Sequence, residues 1–166
     1  MNKRHFTLTS IVMLMVIPLA IICLTSCQQA EIYLTIENGS GSPGSKNNLV
    51  EITLDNPANT VKGIQADICD QGNYLQGVGC EAVGNASGFT CAFNELSDGC
   101  FRIMLVSLSG NEIPAEAGQI INVSYDVSEE APEGRCVDIT SKNVKVSDEE
   151  RNPLPAGVKK GVFCFE

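Results

Sequence analysis

Apolar residues at Ile32, Leu34 and Ile36 alternate with Tyr33 and Thr35, a period of two that predicts a β-strand with one buried face. Apolar or alternating runs follow at Leu49–Leu54, Val61–Cys69, Tyr74–Cys80, Phe89–Phe93, Phe101–Leu108, Gln119–Val127, Cys136–Val146 and Gly161–Phe165. Together with the first run they predict about nine strands. The segments between them are rich in turn formers: a Gly/Ser/Pro loop from Asn38 to Asn48, then Asn56-Pro57, Asp70–Asn73, Gly84–Gly88, Ser109–Ala117, Ser128–Gly134 and Asp148–Pro155. No window in this region carries a 3.6 period. The best helical candidate, Glu112–Ala117, contains Pro114 and runs into Gly118. The pattern predicts an all-β domain of two packed antiparallel sheets, a single nine-stranded sandwich of jelly-roll form. Its inner faces take Ile52, Leu54, Ile64, Ile68, Ile103, Leu105, Ile121, Val123, Tyr125 and Val127.

The N-terminal pattern is different. Lys3, Arg4 and His5 precede an apolar run from Leu8 to Leu24, and the tetrad Leu24-Thr25-Ser26-Cys27 ends it. A basic start, an apolar stretch and small residues before a cysteine make an export signal, and the tetrad resembles the lipobox of bacterial lipoproteins. An uncleaved membrane helix fits less well, because Pro18, Thr25 and Ser26 interrupt a stretch that is short for a ~30 Å hydrocarbon core. The chain therefore divides into a signal peptide (1–26), a lipidated tether (27–30) and a sandwich domain (31–166). Acyl chains on Cys27 would hold the protein at a membrane of the bacterial cell envelope, facing periplasm or exterior. Gln28 and Gln29 are compatible with an outer-membrane address.

Without residues 1–26 the formal charge moves from −9 to −11, because Lys3 and Arg4 leave and no acid does. Such a chain is a poor partner for nucleic acid, and its spread acidity serves solubility. Of eight cysteines, Cys23 leaves with the signal and Cys27 takes lipid. The remaining six, Cys69, Cys80, Cys91, Cys100, Cys136 and Cys164, are expected to form disulfides in an exported domain. Six cysteines allow fifteen connectivities. Local geometry favours two short-range pairs, Cys91 with Cys100 across a turn at Asn94–Gly99 and Cys69 with Cys80 around a similar short loop, which leaves Cys136 with Cys164 to tie the last strand to the body. No C-x-x-C pair occurs and the single histidine lies in the signal, so structural zinc is not expected, and the sequence calls for no cofactor.

Several segments, taken in order, resemble the cohesin family. They are Val50–Asn56 with Val61–Ile68, then Gly118–Val127 closed by Ala131-Pro132-Glu133-Gly134, then Val144–Asp148 with Asn152–Pro155 and Gly161–Phe163. The resemblance covers most of residues 31–166 and implies that family's nine-stranded jelly roll, shared with certain carbohydrate-binding modules. The chain departs from the family where Gln71-Gly72-Asn73-Tyr74 replaces a Tyr-Asp-Pro stretch, and in its six cysteines. The resemblance also implies extracellular carbohydrate biology, with a dockerin-like protein or a polysaccharide as partner, but no partner-contacting residue carries over.

Catalytic chemistry is poorly served. With no histidine after residue 5, serine or cysteine triads are excluded. Asp67 with Asp70, or Asp148-Glu149-Glu150, could pair carboxylates, but a small sandwich with short loops offers no deep cleft for them. Asp148-Glu149-Glu150 beside Asn152 could also donate oxygens to calcium, although a solvated hairpin loop accounts for the cluster and no metal site is assigned. Asn85-Ala86-Ser87 and Asn122-Val123-Ser124 match a glycosylation pattern that carries no weight in a bacterial lipoprotein. Sugar binding on an extended platform would use exposed aromatics, for which Tyr33 and Tyr74 are the candidates, the other rings being read as core. The sequence thus predicts a non-catalytic cell-surface binding module, for carbohydrate or a dockerin-type protein, linked to polysaccharide catabolism. The alternative is a structural or adhesive envelope lipoprotein with no carbohydrate ligand.

Overall fold

The computed structural model describes residues 32–166. The predicted signal peptide, Cys27 and the tether lie outside the described residues. Two sheets pack face to face. Sheet A has the order β11-β1-β3-β8-β5, formed by Ala156–Lys159, Ile32–Ile36, Asn48–Asp55, Gly118–Val127 and Leu75–Ala82. Sheet B has the order β2-β12-β9-β4-β7-β6, formed by Gly39–Gly41, Gly161–Phe165, Cys136–Ser147, Gly63–Asp70, Phe101–Val106 and Thr90–Glu95. A two-residue strand, β10 (Pro153–Leu154), folds back onto the end of β9.

The nine predicted runs all become strands. Every residue assigned to the inner faces is buried, with exposures of 4 % or less. Burying aliphatic side chains at roughly 1.5–3 kcal/mol each is what drives the two sheets together. In β8 the consecutive Ile120 and Ile121 are both fully buried, which strict alternation forbids. A bulge resolves this: the pairing slips between Ile52↔Ile121 and Thr53↔Gln119, so Ile120 is the extra residue.

Three short strands depart from the expectation. β2 lies in the predicted Gly/Ser/Pro loop, β10 in the Asp148–Pro155 loop and β11 just after it. Each lies against a longer strand: β2 runs parallel to β12, β11 parallel to β1, and β10 antiparallel to β9. None has its own apolar period, so neighbours and not local pattern create them.

The disulfides correct two expected pairs. The bonds are Cys69–Cys100, Cys80–Cys91 and Cys136–Cys164. Only the third pairing was anticipated. The β6–β7 hairpin does form, but its register sets Glu95 opposite Phe101, so Cys100 stays in the turn while Cys91 faces Leu105. Ile68 on β4 faces Phe101, which brings Cys69 to Cys100 with Cα atoms 4.4 Å apart. Cys80 and Cys91 lie on the edge strands of opposite sheets, and their bond clasps the open side of the sandwich. Cys136 and Cys164 are directly opposed on β9 and β12.

The strands also define two ends. The chain enters β1 at Ile32, the end where β3 and β5 finish and β8 begins. Here a buried Asn56 ties two crossovers together. Its Nδ2 donates to the carbonyls of Asn59 (2.6 Å) and Pro114 (2.8 Å), and its Oδ1 accepts from the Ala117 amide at 3.0 Å. The connections Asp70–Leu75, Glu95–Phe101 and Val127–Cys136 gather at the opposite end.

Candidate binding face

Alternation in β7 decides what sheet B shows to solvent. Phe101, Ile103 and Leu105 point into the core, so Arg102, Met104 and Val106 point out. Antiparallel pairing then builds cross-strand rows on the outer face. Thr90, Val106, Gly63 and Ser147 form one, Ala92, Met104, Gln65 and Lys145 the next, and Asn94, Arg102, Asp67 and Lys142 the third.

The first two rows set Val106, Gly63, Ala92 and Met104 among polar Thr90, Ser147, Gln65 and Lys145. Met104 and Val106 are 37 % and 39 % exposed, and because they sit two residues apart on one face of β7 they form a contiguous apolar patch. Gly63, with no side chain, leaves a hollow between Val106 and Ser147; a Cβ there would meet Ser147 Oγ at 3.2 Å. The β9–β10 hairpin adds Pro153, Leu154 and Arg151 along one side, completing a groove of about 440 Å³. Lys145 and Arg151 flank it, and neither takes part in an ion pair among the described residues.

The third row is polar and internally satisfied. Arg102 donates through Nε to Asp67 Oδ1 (2.6 Å) and through a terminal nitrogen to Oδ2 (2.9 Å), a two-pronged pairing. Asn143 Nδ2 donates to Oδ2 at 2.7 Å. That contact depends on a bulge, where the β4–β9 register slips between Gln65 and Asp67 and Asn143 takes a φ of 53°. Asp67 is 1 % exposed because these side chains cover it. The Arg102 hydrogen bonds outweigh the opposing effect of burial and, with Asn143 and the charges of Arg102 and Lys142, lower the Asp67 pKa. A carboxylate with a depressed folded pKa adds stability that is present above its unfolded pKa and lost as pH falls through the folded value. We expect stability to decline as pH drops below about 4, and Asp67→Asn to flatten that part of a denaturant midpoint against pH curve.

The other sequence candidates disperse. Asp70 faces the turn into β5, accepting the Tyr74 amide at 2.7 Å, and burial raises its pKa. Asp148 closes the β9–β10 turn, accepting the Asn152 amide at 2.7 Å and its side chain at 3.1 Å. Among the described residues no three His, Cys, Asp or Glu side chains converge on a common metal position. Tyr33 lies on β1 in sheet A, over Gly157 and beneath Lys159, whose Nζ is 4.7 Å from the ring centroid. Tyr74 follows β4 at the far end and meets Phe165 edge-on at 5.6 Å. The two share no strand and no hollow. Sequence reading missed Met104, Val106 and Gly63, although the β7 parity carried the signal for the first two.

No family model matches the chain, and no curated protein matches it. Solved structures do. A cohesin of scaffoldin B from Acetivibrio cellulolyticus, crystallised with a dockerin, superimposes with a TM-score of 0.66 at 18 % identity, covering 82 % of this chain and 99 % of that one. A type I cohesin–dockerin complex from Clostridium thermocellum gives 0.65 at 15 % identity over 82 % and 99 % of the two chains. A non-cellulosomal cohesin from the archaeon Archaeoglobus fulgidus gives 0.64 at 13 % identity over 81 % and 90 %. The predicted sandwich is therefore the cohesin fold, here fastened by three disulfides.

Proposed function

We propose that this protein is a non-catalytic, lipid-anchored module of the bacterial cell surface that docks a dockerin-type protein partner through the outer face of β9-β4-β7-β6, within an apparatus for polysaccharide catabolism. One observation carries the reading: an exposed apolar groove flanked by two cations without ion-pair partners among the described residues, on a chain whose formal charge is strongly negative. An apolar centre with a charged rim is how protein interfaces are built, and the cations favour a partner with acidic groups beside its apolar anchor. The solved cohesins in complex with dockerins support the partner class. Absence of catalysis is supported by the lack of histidine after residue 5 and by Asp67, Asp70 and Asp148 being held in structural hydrogen bonds. The lipobox-like tetrad supports the anchor.

The test is a calorimetric titration of the oxidised mature chain with dockerin modules from its own source, in calcium. The proposal expects binding that Met104→Glu weakens about a hundredfold, as loss of a central anchor does, with unfolding shifted by no more than about 0.5 kcal/mol. Absence of binding to every dockerin would favour the structural or adhesive envelope role instead, and binding that both Met104→Glu and Val106→Glu leave intact would overturn the assignment of docking to this face.

A further inference from the structure

The end of the sandwich opposite Ile32 carries a second hollow, of about 510 Å³, in the size range of small-ligand sites (roughly 300–1,000 Å³). It shares no residue with the groove on sheet B. Tyr74 lines it as the one aromatic, with Asn73, Gln76, Glu95, Asp126 and Glu129 among its polar groups. Two of the lining residues, Tyr74 and Asp126, are held in place. The Tyr74 amide donates to Asp70 and its carbonyl accepts from Ser128, while its ring is braced by Phe165. Asp126 is held by the Asn47 amide at 3.1 Å and by Lys46 at 3.2 Å. The side chains of Gln76, Glu95 and Glu129 enter no hydrogen bond or ion pair within the described residues, so their donors and acceptors face the hollow or solvent unspent.

The chemistry of this lining selects among ligands. Three carboxylates against Lys46 disfavour an anion. Leu75 and Val127 share the lining with the polar groups, and such mixed walls disfavour a wholly apolar ligand. Planar amide and carboxylate groups beside an aromatic ring instead match a neutral sugar, whose hydroxyls need both donors and acceptors and whose C–H face packs on a ring. We propose that this hollow binds a neutral saccharide unit of a polysaccharide chain. Its position suits that ligand: the hollow opens at the end away from Ile32, so an anchor at Cys27 would point it outward from the membrane. That last point rests on the lipid-anchored reading; the recognition chemistry does not.

The experiment titrates the oxidised mature chain with cellotetraose, xylotetraose and mannotetraose, with tetragalacturonate as the anionic comparison. At least one neutral tetrasaccharide should bind at about millimolar strength or tighter, and tetragalacturonate should not. Gln76→Ala, a surface change on an edge strand, should weaken binding about tenfold, Tyr74→Ala by more, and Tyr74→Phe by less than about threefold. No binding of any neutral tetrasaccharide, stronger binding of tetragalacturonate, or affinity unchanged in both Gln76→Ala and Tyr74→Ala would overturn the proposal. Met104→Glu should leave sugar binding intact and Gln76→Ala should leave dockerin binding intact, so failure at one site is distinguishable from failure at the other.

Discussion

Asn56→Ala should destabilise the sandwich by roughly 3–5 kcal/mol, a large share of the 5–15 kcal/mol typical of a domain. Asn56 is fully buried, and its amide satisfies three backbone groups from two crossovers: the carbonyls of Asn59 and Pro114 and the amide of Ala117. Alanine removes all three hydrogen bonds at once and leaves their partners in a space too enclosed for free hydration. Each net bond is worth about 1 kcal/mol, and each orphaned buried group adds about 1–3 kcal/mol until the loops relax. Aspartate would not rescue it, because the two carbonyls that now receive N–H groups would face a carboxylate. Thermal unfolding should therefore fall by about 10–15 °C in Asn56→Ala. Asn59→Ala should change it little, since that residue contributes its backbone carbonyl alone. A midpoint unmoved by Asn56→Ala would mean that the crossovers are held by other contacts.

The second large effect comes from the disulfides. Removing Cys69–Cys100, which closes a separation of 31 residues, should cost about 3–4 kcal/mol; Cys80–Cys91, with a separation of 11, should cost about 3 kcal/mol. The difference is small because loop-closure entropy grows only with the logarithm of length. The connectivity itself is open to direct test. Cleavage after glutamate divides the region into peptides 52–81, 82–95 and 96–112, which hold Cys69 with Cys80, Cys91, and Cys100 respectively. The observed pairing leaves all three joined without reductant. Pairing of sequence neighbours would instead release 52–81 and join only the other two. Mass mapping of the oxidised protein separates these outcomes.

Alternation along β3, β4, β7 and β8 made most of the core legible, since one buried face repeats every second position and burial enforces it; it failed beside the bulges, where Ile120 joins Ile121 in the core and Asp67 is buried between Ala66 and Ile68. Cysteine pairing does not follow from separation along the chain. It follows from cross-strand register, and a turn that sets Glu95 rather than Cys91 opposite the start of β7 sends Cys100 to β4 instead. The short strands β2, β10 and β11 were invisible because each gets its structure from a partner. The candidate binding face was half visible. Met104 and Val106 could be read as outward once Ile103 and Leu105 were read as inward, but the hollow over Gly63 exists only after β4, β7 and β9 are laid side by side. The carboxylates were legible as residues and not as roles. Only the structure shows that Asp67 is consumed by Arg102 and Asn143, and Asp148 by its own turn.

The most direct test of the docking account is hydrogen exchange of the oxidised protein alone and saturated with the tightest-binding dockerin module. The account predicts new protection in β4, β7 and the β9–β10 hairpin, where the groove lies, with β1, β3 and β8 of sheet A unchanged. Protection confined to sheet A, with the groove strands exchanging as in the free protein, would contradict it.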